Sequence, residues 1–268
     1  MHFPHPNRLS ALLTLLLLAT ASLPAHATDL LNTAKARGTL KVAVEGTYPP
    51  FNFKDPKSRE LRGFEVDLAK LLATRMGLKA EFVTTEWSGI LAGLSAGKYD
   101  VILNQVGITP KRLQSFDFSD PYTVSSAQLI LRKDEKRQFT SLADLKGKKL
   151  GVGQGTNYEE QAKAVAGIDV KTYPGTPENL QDLVSGRIDA ALNDSLLVSY
   201  LLTTSPLPIK AGAPIGAIVK MGIPIVKGNP KFKEAVNQAL ADALQDGSFA
   251  KVSGKWFGTD VSKPPAAR

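Results

Sequence analysis

Apolar and polar side chains alternate through residues 40–44, with Leu40, Val42 and Val44 on one face, and this pattern predicts a strand. Tyr48-Pro-Pro-Phe51 then reads as a turn, because proline cannot continue a ladder. Phe64, Leu68, Leu71 and Leu72 recur at helical spacing, and Gly77 supplies a stop. A strand over 80–83, a helix over about 89–96 and a strand over 101–103 follow. A second series has strands over 150–152, 170–173 and 188–192, with helices over 158–165 and 177–184 between them. The apolar positions Phe232, Ala235, Val236, Ala239, Leu240 and Ala243 predict a closing helix over 231–244. Strands alternating with helices predict an α/β fold with mainly parallel sheets.

The two series resemble each other. Gly97-Lys-Tyr-Asp100-Val-Ile-Leu-Asn104-Gln105 matches Gly186-Arg-Ile-Asp189-Ala-Ala-Leu-Asn193-Asp194 at a constant offset of 89, and Leu91 and Leu94 in the preceding helix map to Leu180 and Leu183. A looser match pairs Glu45-Gly-Thr47 with Gln154-Gly-Thr156. A helix, Gly, basic, apolar, Asp, strand unit is common enough to recur without duplication, so chance stands beside a true repeat. If the repeat is real, both post-strand segments lie at the carboxyl ends of parallel strands, where open α/β sheets build ligand sites. Two such edges facing each other form a cleft.

Composition narrows the chemistry. The 268 residues carry 33 Lys or Arg against 25 Asp or Glu, a net charge of +8, with 43% hydrophobic residues and no cysteine. Disulfides, zinc-thiolate sites and thiol nucleophiles are therefore excluded. The basic residues are mixed with acids rather than gathered in a stripe, which argues against nucleic acid as a partner. Met1 to Arg8 is short and basic, a Leu-rich run follows from Leu9, and Ala25-His26-Ala27 is a small-x-small site. These three parts predict a secretory signal peptide over 1–27, too short in its apolar run for a membrane anchor. No cysteine at the boundary offers a lipid attachment point, so the expected location is the periplasm. His2, His5 and His26 are the three histidines, and all would leave with the leader. Histidine-based catalysis and metal sites are then unavailable, and no metal or other cofactor is expected.

Several residues could carry ligand chemistry. Gly151-Val-Gly153-Gln-Gly155-Thr156 follows a strand, but its spacing is not that of a dinucleotide fingerprint. Thr156 and Glu159 fit a capping box, whose spare N–H groups would suit a small anion or simply cap a helix. Thr109-Pro110 predicts another helix start, which places Arg112 in its first turn, where a cation calls for an anion. A guanidinium matches a carboxylate in shape, so Arg112 is the candidate grip on an acidic ligand group, against a surface pairing with Asp117 or Asp120. Asp194, at the end of the second repeat, could accept from an ammonium. Tyr48 and Trp87 offer flat apolar walls, although single aromatics often belong to the core.

The motifs Glu45-Gly-Thr-Tyr-Pro-Pro-Phe51, Gly63-Phe-Glu-Val-Asp-Leu68, Glu86-Trp-Ser-Gly-Ile90, Gly107-Ile-Thr-Pro-Lys-Arg112, Phe116-Asp-Phe-Ser119 and Ser141-Leu-Ala-Asp-Leu-Lys-Gly147 together resemble the polar amino acid-binding proteins of bacterial ABC importers. Asn104-Gln-Val106, Gly153-Gln-Gly-Thr-Asn-Tyr-Glu-Glu160 and Lys255-Trp-Phe-Gly258 look most like the cystine-binding subgroup. The resemblance implies a two-lobed periplasmic binding protein fold of type II, with a mainly parallel sheet in each lobe and a two-strand hinge. Lobe 1 would be 28–123 with 221–262, lobe 2 would be 128–216, the crossings 124–127 and 217–220, and 263–268 a flexible tail. It further implies that Arg112 holds an α-carboxylate, aided by main-chain groups near Asn104 and Gly107 and by Thr156 and Asn157 of the second lobe, with Gln105 also among the ligand-binding residues. Asp194 would hold the α-ammonium, while Glu45, Tyr48 and Trp87 line the side-chain pocket. Gly107 departs from relatives that carry Ser or Thr there. The implied function is capture of a polar amino acid, L-cystine or cysteine, by hinge closure and delivery to a membrane permease, by a monomer without catalytic residues. A periplasmic dehydratase of the prephenate type and an amino-acid sensor are the alternatives.

Overall fold

The computed structural model describes Met1, His2 and residues 29–264. The leader over 1–27, apart from its first two residues, and most of the 263–268 tail lie outside the described residues. The chain begins with α1 (Leu30–Arg37), β1 (Thr39–Val44), β2 (Thr47–Tyr48), β3 (Asn52–Lys54) and β4 (Leu61–Arg62). Next come α2 (Phe64–Arg75), β5 (Lys79–Thr84), α3 (Trp87–Ser95), β6 (Val101–Ile102), α4 (Pro110–Ser115), β7 (Phe116–Phe118) and β8 (Thr123–Arg132). The second series is β9 (Lys149–Gly153), α5 (Asn157–Lys163), β10 (Asp169–Tyr173), α6 (Thr176–Val184), β11 (Ala190–Asp194), α7 (Ser195–Thr204) and β12 (Ile209–Met221). β13 (Pro224–Val226), α8 (Pro230–Gln245) and α9 (Ser248–Phe257) complete it.

The first lobe is built on the parallel sheet β5-β1-β6 and the second on the order β10-β9-β11-β8-β12. Only the first three strands of the second sheet are parallel; β8 and β12 join antiparallel to them. These two strands pair along most of their length, from Met221 opposite Thr123 to Ile209 opposite Arg132, with two register shifts. The beginning of β8 also reaches the C-terminal segment, where the Val124 N–H donates to the Val261 carbonyl. Antiparallel strands shared in this way suit a chain that leaves one sheet and returns.

The repeat holds at the level of single hydrogen bonds. β1 lies between β5 and β6 as β9 lies between β10 and β11. The Asp100 N–H donates to the Lys41 carbonyl while its carboxylate accepts from the Lys41 N–H; Asp189 does the same with Lys149. The N–H of Gly97 closes the preceding helix on Leu94, and that of Gly186 closes on Leu183, both in the left-handed region that glycine enters without strain. Each Asp thus pins the entry of the next strand to the first strand of its lobe. The carboxyl ends of the two units, Asn104-Gln105 and Asn193-Asp194, are delivered as equivalent positions.

Local sequence explains the elements that carry the site. Gly63 has φ of 140°, and a Cβ there would lie 2.2 Å from the Phe51 carbonyl oxygen, so the chain can pass against β3 only as glycine. The N–H groups of Phe64 and Glu65 then donate to the carbonyls of Pro50 and Phe51, locking the start of α2 to the Pro-Pro turn. The apolar face of α8, with Phe232, Val236, Ala239, Leu240 and Ala243 buried, packs on α2 and α9. Burial stabilises each large side chain there by about 1.5–3 kcal/mol.

Candidate functional site

A cavity lies where the strand ends of the two lobes meet. Glu45, Tyr48, Trp87, Asn104 and Gln105 line it from the first lobe, and Gly153, Thr156, Asn157, Tyr158, Gly175, Thr176, Asn179 and Asn193 from the second. The space inside it, with the open solvent at its mouth included, is about 460 Å3. Hydrogen bonds tie the lobes together around it. The Tyr48 hydroxyl donates to Asn193 Oδ1 at 2.8 Å, Trp87 Nε1 donates to the Gln154 carbonyl at 2.8 Å, and Lys111 pairs with Glu160 at the rim. The lobes are therefore closed on each other.

Of the residues expected at the site, Glu45, Tyr48, Trp87, Asn104, Gln105, Thr156 and Asn157 line the cavity, whereas Arg112, Asp194 and Gly107 stand behind its lining. Thr109 caps α4, accepting from the Arg112 N–H, with Pro110 at the first helical position. Arg112 is buried and pairs with neither Asp117 nor Asp120; Asp117 faces Lys227 instead. Its guanidinium donates to the carbonyls of Gly107 at 2.9 Å and Gly155 at 3.0 Å, and lies 5.5 Å from the centre of the Trp87 ring. Arg112 thus touches both lobes.

Asp194 is fully buried, caps α7 through the Leu196 N–H, and accepts from the hydroxyls of Ser125 and Tyr158. Tyr158 lines the cavity and feels both the Asp194 and Arg112 charges. A Cβ at Gly107 would lie 3.2 Å from Asn157 Oδ1 and 3.3 Å from Val219 Cγ1, so this glycine leaves room for Asn157 to enter from the other lobe.

Three buried polar atoms of the cavity lining have no hydrogen-bond partner: Gln105 Nε2, Asn157 Nδ2 and Asn179 Oδ1. Orphaned groups of this kind cost about 1–3 kcal/mol each unless something else satisfies them. The two donors, Gln105 Nε2 and Asn157 Nδ2, match a ligand that carries acceptors, whereas Asn179 Oδ1 lies over Gly151.

The acids are equally unusual. None of the ion pairs among the described residues involves Glu45, Glu65 or Asp194. Burial pushes the Glu45 carboxyl up to about 7 against the hydrogen bond from Asn104. Asp194 is likewise pushed up by burial, to about 6, against the bonds from Ser125, Leu196 and Tyr158. Burial lowers the Arg112 pKa. Buried carboxyls without cations are poised to receive one. Among the described residues no group of three or more His, Cys, Asp or Glu could hold a metal ion.

The start of α5 forms the expected helix cap. Thr156 Oγ1 accepts from the Glu159 N–H, the Glu159 carboxylate takes the Gly155 N–H, and the Thr156 N–H is spent on the Gly153 carbonyl. These bonds cap the helix. Tyr158, Thr176, Asn179 and Asn193 are cavity residues that the sequence reading passed over. Asn193 carried a signal, since the repeat sets it opposite Asn104. Thr176 and Asn179 arrive through the docking of α6 and carry none.

Residues 40–259 match the model of the bacterial extracellular solute-binding proteins, family 3. The chain belongs to that family. Within family 3 it is 42% identical over 267 residues to the L-cystine-binding protein TcyJ of Escherichia coli (strain K12), covering 98% of this chain and 100% of that protein. It is 38% identical over 236 residues to the L-cystine-binding protein TcyA of Bacillus subtilis (strain 168), covering 88% and 87%. A crystal structure of the ancestral amino acid-binding protein AncCDT-1, a precursor of cyclohexadienyl dehydratase, matches with a TM-score of 0.79 and 36% identity over 85% of this chain and 100% of that one. The two-lobed fold of this family 3 protein is that of amino acid-binding proteins.

Trp87, like Tyr48, both lines the cavity and bonds across it, and it carries the larger ring. Loss of its ring removes about 1.5–3 kcal/mol of apolar contact, so Trp87→Ala should weaken amino-acid binding roughly ten- to a hundredfold by calorimetry. Lys111→Ala removes an ion pair whose side chains are 76% and 46% exposed and should change affinity less than about fivefold.

Proposed function

We propose that this protein captures a polar amino acid, L-cystine foremost, between its lobes in the periplasm and delivers it to the permease of an ABC importer. The leader over 1–27 would direct export. The chain would cross between lobes at 124–127 and 217–220, between a first lobe of 28–123 with 221–262 and a second of 128–216. The observation that carries the reading is the closed cavity whose lining holds unpartnered donors beside acids that form no ion pair. Arg112, Gln105, Gly107 and Asn157 form the carboxylate end. Tyr158 and Asp194 form the ammonium end, and Glu45, Tyr48 and Trp87 face the side chain. L-Cystine is favoured because the relatives named for it align over nearly the whole chain. Thermal shifts with single amino acids test this: a selective rise with L-cystine supports it, and no rise with any amino acid refutes it.

A dehydratase has one observation in its favour, the Glu45 carboxyl held near neutrality in a cavity, which suits a general acid. A dianionic substrate would meet the Glu45 and Asp194 carboxyls, neither of which is held in an ion pair, so we infer a binding protein rather than an enzyme. Turnover of prephenate by the purified protein would reverse that choice.

Binding should release protons. Asp194 and Glu45 have folded pKa values raised to about 6 and about 7, and an incoming ammonium favours their ionised forms. Affinity is therefore expected to rise with pH between about 5.5 and 7.5. Calorimetry in buffers of different ionisation enthalpy should show net proton release across that window.

A further inference from the structure

Glu65 is the buried acid that ligand contact leaves unexplained: it is 0% exposed, does not line the cavity, and yet collects three donors. Its Oε1 accepts from the Gln105 N–H at 2.7 Å and from the Tyr122 hydroxyl, and its Oε2 accepts from Asn52 Nδ2 at 2.8 Å. Gln105 is a non-glycine residue with φ of 47°, in the left-handed region. A residue stays in that region only when its surroundings hold it there. Three contacts do so: the backbone N–H donates to Glu65 at 2.7 Å and, more weakly, to the Tyr122 hydroxyl at 3.2 Å, and the Thr123 hydroxyl donates to Gln105 Oε1 at 2.8 Å. With its oxygen engaged, the Gln105 amide presents Nε2, the atom left without a partner in the cavity lining.

We propose that Glu65 is a positioning residue for ligand recognition, its carboxylate holding the Gln105 backbone left-handed so that the side-chain amide donates to the bound amino acid. The inference rests on the binding reading above. It also explains why an acid, rather than an amide, occupies position 65. Three donors converge on two oxygens, and only a carboxylate accepts all of them. A glutamine would bring one acceptor oxygen and an NH2 group facing donors, so at least one donor would lose its partner.

Protonation does the same thing, because a carboxylic acid turns one accepting oxygen into a donor. Burial raises Glu65 to about 7, against the hydrogen bonds from Tyr122, Gln105 and Asn52, and the titratable groups that face it are Tyr122, Tyr48, Glu45 and Asp194, none of them a cation. Gln105 is then held best above that pH and loosened below it.

The test uses the wild type, Glu65→Gln, Gln105→Ala and the double variant of the full secreted chain, titrated with L-cystine calorimetrically at about pH 6 and pH 8. Glu65→Gln should lower affinity roughly tenfold or more at pH 8 in the wild-type background and less than about twofold in the Gln105→Ala background. Equal losses in both backgrounds, or no loss in either, overturn the proposal. Should Glu65→Gln fail to fold, Tyr122→Phe removes one donor to the carboxylate and should move the acid limb of binding to higher pH; an unmoved limb overturns the proposal. A wild type that ignores L-cystine would instead defeat the functional reading. Position 65 is then judged from a crystal structure of Glu65→Gln or, failing that, Tyr122→Phe: Gln105 leaving the left-handed region supports the proposal, and φ still near +47° with Nε2 unmoved contradicts it.

Discussion

Arg112→Ala is expected to reduce affinity for L-cystine by at least about a hundredfold while the purified protein keeps its fold. The guanidinium is buried between the two lobes and already spends N–H groups on Gly107 and Gly155, one carbonyl from each side of the cleft. A hydrogen bond that involves a charged group contributes about 1.5–3 kcal/mol. Loss of two such bonds to a carboxylate amounts to roughly two to four decades in affinity. The same substitution removes the contact to Gly155, so closure itself becomes less favourable. Arg112→Lys should recover only part of the loss, because an ammonium cannot present the planar pair of donors that a carboxylate matches. Calorimetry on the three proteins measures the effect, and an affinity for Arg112→Ala within about threefold of wild type would remove the residue from the site.

Asp194→Asn should produce two effects of opposite sign. Affinity for an amino acid is expected to fall roughly a hundredfold, because the acid proposed to balance the ammonium is gone. Stability of the protein alone should hold or rise at neutral pH. The folded pKa of Asp194 lies above its ordinary 3.8, at about 6, so the folded state binds the proton more tightly than the unfolded state. The resulting stabilisation is complete below the unfolded pKa and is lost as pH rises through about 6. Above that window the buried charge is a cost, which an isosteric amide does not carry. Ser125 and Tyr158, whose hydroxyls donate to the carboxylate, can rotate to accept from the amide. Thermal denaturation at about pH 5 and pH 8, beside calorimetry, separates the two effects. Parallel losses of stability and affinity would mean that Asp194 serves the fold rather than the ligand.

The regular elements were legible where burial is one-sided. The alternation over 40–44 became β1 (Thr39–Val44), and the apolar stripe over 231–244 became α8 (Pro230–Gln245). The paired units ending in Asn104 and Asn193 anticipated how Asp100 and Asp189 tie equivalent strands together. β8 and β12 carry no comparable signal, since each serves two environments along its length and its burial follows neither period cleanly. At the site, Arg112 and Asp194 stand out in the sequence as charges at element ends. Thr176 and Asn179 do not, because their place depends on how α6 docks against the second sheet. Glu65 lay inside a helical motif, and nothing in that motif shows that its carboxylate would bond Gln105, 40 positions away.

The hydrogen-bond network divides the labour of the first lobe. Glu65 reaches Gln105 directly, and through Asn52 it also reaches Asn104, whose amide nitrogen donates to Glu45. One buried acid thus connects Gln105, proposed to meet the ligand's carboxylate, with Glu45, proposed to meet its side chain. In the second lobe the buried Asp194 bonds the cavity residue Tyr158, and the helix starts carry Asn157 and Thr176.

A crystal structure of the L-cystine complex tests the central claim most directly. One α-carboxylate of the ligand should lie within hydrogen-bonding distance of the Arg112 guanidinium, the Gln105 amide and the Asn157 amide, with the α-ammonium of the same half facing Asp194. A ligand bound outside the cleft, or one whose ammonium points toward Arg112, would contradict it.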